Sequence, residues 1–287
     1  MKSKMLLICG CYRSGTTIMG LMLNAHSEII VTDELQTYRA YSNTDRNLNG
    51  FYYRLNMLLG RHSLKASGIR DNVLGENIKF FRDEVERMNN NITYDKLIEL
   101  FERYSIKDFI YYGDKHPGYI FDLDNFSKNF IDFSNIRIIY LLRDPRDVIE
   151  SQLRMFDVKK KPNSLYPDGL TDKEVRLHHK WCKKSIDECF NSNYYTWLDV
   201  VNEWERVKPL LLPSRFIEIY YRDLVCNLEN EAIKIANFLD INKEEIVKIF
   251  NKLFKPVRHE AWKIRLPNIN NQLPDSWKIA MEKYGFI

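Results

Sequence analysis

The stretch Lys-Met-Leu-Leu-Ile-Cys-Gly-Cys-Tyr-Arg-Ser-Gly-Thr-Thr at residues 4–17 constrains the fold more than any other part of the chain. Its apolar run at 5–8 predicts a buried strand. A turn bounded by Gly10 and Gly15 follows, and Thr16 and Thr17 open an apolar helix through Ile18, Met19, Leu21, Met22 and Leu23. A strand, a glycine turn and a helix in that order aim backbone N–H groups and the positive end of the helix at a phosphate. The common triphosphate-binding loop carries a lysine directly after its second glycine. Here Thr16 takes that place, and the cation, Arg13, stands inside the turn. That arrangement argues against ATP or GTP hydrolysis and for another phosphate-bearing donor.

A second apolar run at 136–142 leads into Arg143-Asp-Pro-Arg-Asp-Val-Ile-Glu-Ser151. Pro145 suits the first turn of a helix, which puts Ser151 about two turns in at ~3.6 residues per turn. Arg143 at the strand's end and Ser151 can then converge on one phosphate, and arginine binds phosphate oxygens with a planar fork. The plainer role for Arg143 is an ion pair with Asp147, worth little if exposed. A nucleotide-hydrolysing enzyme wants an aspartate at such a strand end to hold Mg²⁺; this strand ends in Arg143.

A third segment, Phe216-Ile-Glu-Ile-Tyr-Tyr-Arg-Asp-Leu224, precedes an amphipathic helix whose Leu228, Ala232, Ile235, Phe238 and Leu239 keep helical spacing and read as core. A fourth, Phe254-Lys-Pro-Val-Arg-His-Glu-Ala-Trp262, lies near a C-terminus ending Tyr-Gly-Phe-Ile. Together and in this order the four segments resemble those of sulfotransferases that use 3′-phosphoadenosine-5′-phosphosulfate (PAPS), closest in motif to the tyrosylprotein sulfotransferases and their bacterial relatives. The resemblance implies that Arg13, Ser14, Gly15, Thr16 and Thr17 cradle the 5′-phosphosulfate and that Arg143 and Ser151 hold the 3′-phosphate. It implies transfer of a sulfuryl group to a hydroxyl or amine, with adenosine 3′,5′-bisphosphate (PAP) as product and no metal.

The tyrosylprotein branch also carries a glutamate 21 positions after its loop arginine, which Glu34 matches, and an Asn-Lys-Asp-Pro segment, matched by Asp114-Lys-His-Pro117. Lys115 thereby stands in the lysine's place. Two features depart from the branch. An arginine expected twelve residues after Arg143 falls on Met155, with Arg154 adjacent, and a serine before the Lys-Pro-Val segment falls on Ile249. Arg13 and Lys115 are the candidate charge stabilisers. Glu34 is the first candidate base and His116 the competitor, since imidazole commonly serves as a base. Asp33 reads as a cap or solvated turn residue.

Strands are predicted at 4–9, 29–32, 109–112, 136–142 and 215–221, with helices at 16–26, 77–88, 93–105, 119–130, 145–156, 172–207 and 228–252. Apolar strands alternating with helices predict an α/β fold, a P-loop-type parallel sheet with helices on both faces. Ligands then lie beyond the carboxyl ends of the strands, and Arg13, Glu34, Lys115 and Arg143 all follow strand ends. At 287 residues and 45% hydrophobic content the chain suits a single domain with helical insertions. Segment 36–76, rich in aromatic and basic residues, and loop 157–171 are candidate acceptor-binding insertions; glycan, peptide and small-molecule acceptors all remain open. A formal charge of +4 suits an anionic donor and does not point to nucleic acid. No apolar run approaches the ~18 residues of a membrane span. Five cysteines without metal spacing point to a reducing, cytoplasmic setting, with Cys9 and Cys11 as packing residues. His178 and His179, adjacent on a helix, diverge by ~100° and make no metal pair. A P-loop kinase and a catalytically inactive nucleotide-binding module are the rival readings.

Overall fold

A computed structural model describes residues 3–35, 73–88, 94–124, 136–159, 185–191, 195–255 and 259–287. Most of the 36–76 insertion, most of loop 157–171, and His178 and His179 lie outside them. The elements are β1 (Lys4–Gly10), α1 (Thr16–Asn24), β2 (Ile29–Asp33), α2 (Ile78–Arg87), α3 (Tyr94–Tyr104), β3 (Tyr111–Lys115), β4 (Ile136–Leu142) and α4 (Pro145–Lys159). They continue with α5 (Ile186–Phe190), α6 (Trp197–Val207), β5 (Phe216–Tyr220), α7 (Tyr221–Cys226), α8 (Leu228–Leu239), α9 (Lys243–Leu253), α10 (Trp262–Arg265) and α11 (Asp275–Lys283).

The five strands form one sheet in the order β2-β3-β1-β4-β5, and each neighbouring pair is parallel. Along β1 the side chains alternate between two cores, as a strand buried on both faces requires. Met5, Leu7 and Cys9 join Tyr140, Val148, Trp197, Trp204 and Trp277 on one face. Leu6 and Ile8 join Met19, Leu23, Leu141, Ile219, Ile235 and Phe250 on the other. A third cluster packs α2 and α3, through Phe81, Val85, Leu97 and Phe101, against Ile30 and Tyr112.

β1 and β4 are neighbours, yet the helices that follow them depart to opposite faces: Met19 of α1 and Val148 of α4 lie in different cores. Two adjacent strands whose connections part in this way open a crevice at their carboxyl ends. Of the predicted helical stretch 172–207 the described residues hold α5 and α6, residues 172–184 lying outside them. The helix at 119–130 also differs, and the other predicted boundaries hold within a few residues except at β3. That strand runs through Lys115, whereas its polar Gly-Asp-Lys end reads as loop in the sequence. The predicted helix at 119–130 opens, in its described part, with a 3₁₀ turn over Pro117–Asp122 that passes into α-helical residues at 123–124.

Candidate active site

The turn after β1 can be made only with glycine at its two ends. Gly10 has φ +145°, and a Cβ there would meet the Leu141 carbonyl oxygen at 2.3 Å. Gly15 has φ +96°, and its Cβ would meet the Tyr221 ring at 2.8 Å. Gly15 also caps α1 without any side-chain hydrogen bond, and no acidic residue occupies the first turn. The first N–H groups of a helix have no acceptor within it, so this end keeps its positive potential. Between the glycines Arg13 adopts φ +74°, a conformation that costs a non-glycine residue roughly 1–3 kcal/mol and clusters at functional sites.

What holds Arg13 there comes from β4 and α4. The Arg143 guanidinium donates to the Arg13 carbonyl oxygen at 2.9 Å. Arg13 Nε donates to Ser151 Oγ at 3.0 Å. Arg143 also lies 4.4 Å from the centroid of the Tyr221 ring and 4.0 Å from Asp147. The ion pair with Asp147 is thus at its outer limit. Asp147 chiefly accepts the backbone N–H of Glu260, at 2.9 Å, and of Trp262, at 3.4 Å. Arg13, Gly15, Thr16, Thr17, Arg143 and Ser151 line one open cleft, joined by Glu150, Arg154 and Tyr221. Ser14 is fully buried, and its hydroxyl has no hydrogen-bond partner among the described residues. Ser14 precedes the helix start but is not among the cleft's lining residues; the uncapped helix start and the three arginines that do line it suit an anion with several oxygens.

Three of these lining residues, Glu150, Arg154 and Tyr221, were missed by the sequence. Tyr221 reads there as strand core. Arg154, three residues after Ser151 and so on the same helical face, pairs with Glu150 at 3.6 Å; it stands one position from where the tyrosylprotein pattern places its arginine.

A second cluster forms at the ends of β2 and β3. Lys115 is 1% exposed, and its ammonium lies 2.5 Å from Asp33 and 2.8 Å from Glu34. Burial works to lower its pKa, but the two carboxylates outweigh burial and hold it above the ordinary lysine value. Asp33 is therefore no solvated turn residue. The parallel register sets it directly beside Lys115, a pairing of residues 82 apart that local sequence does not reveal. Glu34 turns the chain with φ +58°, and its N–H donates to the Lys115 carbonyl at 2.8 Å. Asp114, fully buried, braces this turn: it accepts Thr32 Oγ1 at 2.8 Å, the Leu35 N–H at 3.2 Å and the Tyr119 hydroxyl. His116 is 2% exposed, and its Nδ1 accepts the Gly118 N–H at 3.1 Å as the cap of the 3₁₀ turn.

Cys9 and Cys11 are buried beneath the turn, and burial pushes the Cys9 thiol far above its usual pKa; they pack. Among the described residues no helix is long and apolar enough to cross a membrane.

The sequence model of one family, described as "Sulfotransferase family", matches residues 6–245. Among solved structures, the sulfotransferase domain from the olefin synthase of Synechococcus PCC 7002 aligns with a TM-score of 0.51 at 18% identity, covering 89% of this chain and 81% of that one. It shares the fold. A sulfotransferase from Alicyclobacillus acidocaldarius aligns with a TM-score of 0.47 at 13% identity, over 85% and 83% of the two chains. Mouse sulfotransferase SULT7A1, complexed with PAP, gives 0.42 at 16% identity, over 91% and 69%. No curated protein sequence matches the chain.

Proposed function

Because this chain belongs to the sulfotransferase family, we propose that it transfers a sulfuryl group from PAPS to a hydroxyl or amine of a glycan, peptide or small-molecule acceptor. The convergence of Arg13, Arg143 and Ser151 on one cleft at the β1–β4 crevice carries this reading. The kinase alternative has little support: no lysine follows Gly15 and β4 runs into Arg143 rather than aspartate. In this reading residues 1–287 are one sulfotransferase domain, with 36–76 and 157–171 as acceptor-binding insertions.

Arg143, Ser151 and Arg154 bind the 3′-phosphate, and the fork of Arg143 reads two of its oxygens at once. Residues 13–17 take the 5′ end through Arg13, the Ser14 hydroxyl and the N–H groups of α1. The bound donor supplies an electrophilic sulfur, whose bond to the 5′-phosphate oxygen breaks as its bond to the acceptor forms. Negative charge then gathers on the departing phosphate, and Arg13 and Lys115 offset it as fixed cations; removing such a partner costs ~10²–10³ in turnover. Glu34 takes the acceptor's proton, a step worth ~10²–10⁴. The engagement of His116 Nδ1 as a cap favours Glu34 over His116 for that role.

The test is a panel of sugars, phenols, amines and tyrosine peptides incubated with ³⁵S-labelled PAPS. Transfer of label to one class supports the reading. No transfer to any class, with label moving instead from [γ-³²P]ATP, would overturn it.

A further inference from the structure

Lys115 holds two carboxylates where one would neutralise it, and the two differ in how firmly the fold places them. Asp33 is the last residue of β2 and sits in register with Lys115. Its side chain is 15% exposed and 2.5 Å from the ammonium. Glu34 lies beyond the ladder on a left-handed turn, is 31% exposed, and stands at 2.8 Å. Along the lysine's stem, Gly20 of α1 lies against its Cβ, and Ile8 of β1 pairs with it across the sheet.

A base that stays ion-paired to a lysine is a poor proton acceptor, and a buried lysine stripped of its carboxylates is costly to keep charged. One carboxylate cannot serve both needs. We propose that Asp33 is a positioning residue, the fixed counter-ion of Lys115, which keeps the ammonium charged and in place when Glu34 turns away to accept a proton. Asp33 touches no reacting atom. It acts through Lys115 and thereby separates the lysine's charge from the state of Glu34. This inference rests on the assignment of Glu34 as the base.

The experiment is a titration of Lys115 by NMR between pH 7 and 11 in protein labelled with [ε-¹³C]lysine, the signal being assigned by its loss in Lys115→Met. It needs no acceptor. Lys115 is expected to remain protonated throughout in the wild type and in Glu34→Gln, and to titrate within the range in Asp33→Asn, a loss of at least tenfold in proton affinity. Asp33→Glu is expected to restore the wild-type behaviour. Equal displacement in Asp33→Asn and Glu34→Gln, or a larger one in Glu34→Gln, overturns the proposal. Should Asp33→Asn fail to fold, Asp33→Asn/Lys115→Met removes both charges and is expected to fold. Failure there would mean that Asp33 supports the backbone and not the lysine, which also overturns the proposal. Single-turnover rates of Glu34→Gln judge the base separately: a near-wild-type rate removes Glu34 from that role while leaving the titration order of Lys115 to judge Asp33.

Discussion

Replacing Arg143 with methionine separates what this side chain does for the ligand from what it does for the loop. It is 8% exposed, so its contacts are strong and their loss is not masked by water. Toward the 3′-phosphate it contributes a charge-assisted contact of roughly 1.5–3 kcal/mol. Toward the loop it donates one hydrogen bond to the Arg13 carbonyl, worth about 1 kcal/mol net, and that loss loosens the turn for any 5′-phosphate. PAP should feel both effects, about 2.5–4 kcal/mol together, or on the order of 10²-fold or more at about 1.4 kcal/mol per decade. Adenosine 5′-phosphate, lacking the 3′ group, should feel only the second, about fivefold. Isothermal titration calorimetry with both ligands measures the two losses. Equal losses would refute the assignment, because Arg143 would then serve the loop alone.

Gly15→Ala should lose roughly 1–3 kcal/mol of stability from its left-handed backbone, with further cost from the Tyr221 ring; an urea midpoint unchanged from the wild type would contradict this. Lys107, whose ammonium donates to the carbonyls of Asn24, His26 and Ile29, has its pKa pushed down to about 8 by burial, Glu245 opposing the shift. The folded chain gives up this proton before the unfolded one, which titrates near ~10.4, so the unfolded state binds more protons in between and stability rises with pH there. Melting temperatures of wild type minus Lys107→Met should increase from pH 8 to pH 10, and a flat difference would show that the ammonium is not desolvated. Turnover with PAPS should survive excess EDTA, since Arg13 and Lys115 supply the neutralising charge; activity lost to EDTA and restored by Mg²⁺ would contradict that.

Much of this molecule is written in local sequence. The apolar runs of β1 and β4 survive as central strands because a buried parallel strand needs no polar face, and the glycines of the first turn declare their positive φ. Ser151 reaches Arg13 because proline at the first turn fixes where α4 starts. What stayed hidden depends on register and on neighbours distant in the chain. Asp33 looks like any acidic strand end until the β2–β3 ladder sets it beside Lys115. Tyr221 looks like core until the path of β5 brings its ring under Gly15 and Arg143. The polar end of β3 reads as loop because Asp114 and Lys115 are paired inside the fold, a satisfaction that no local pattern records.

Which nucleotide the cleft takes separates a PAPS-dependent transferase from a kinase. Calorimetric titration of the wild-type protein with PAP in EDTA, against ATP with Mg²⁺, tests this without an acceptor. Saturable one-to-one binding of PAP is expected in the absence of metal, with ATP binding weaker by on the order of 10²-fold, the worth of a matched 3′-phosphate contact. Tight binding of ATP with Mg²⁺, and none of PAP, would contradict it.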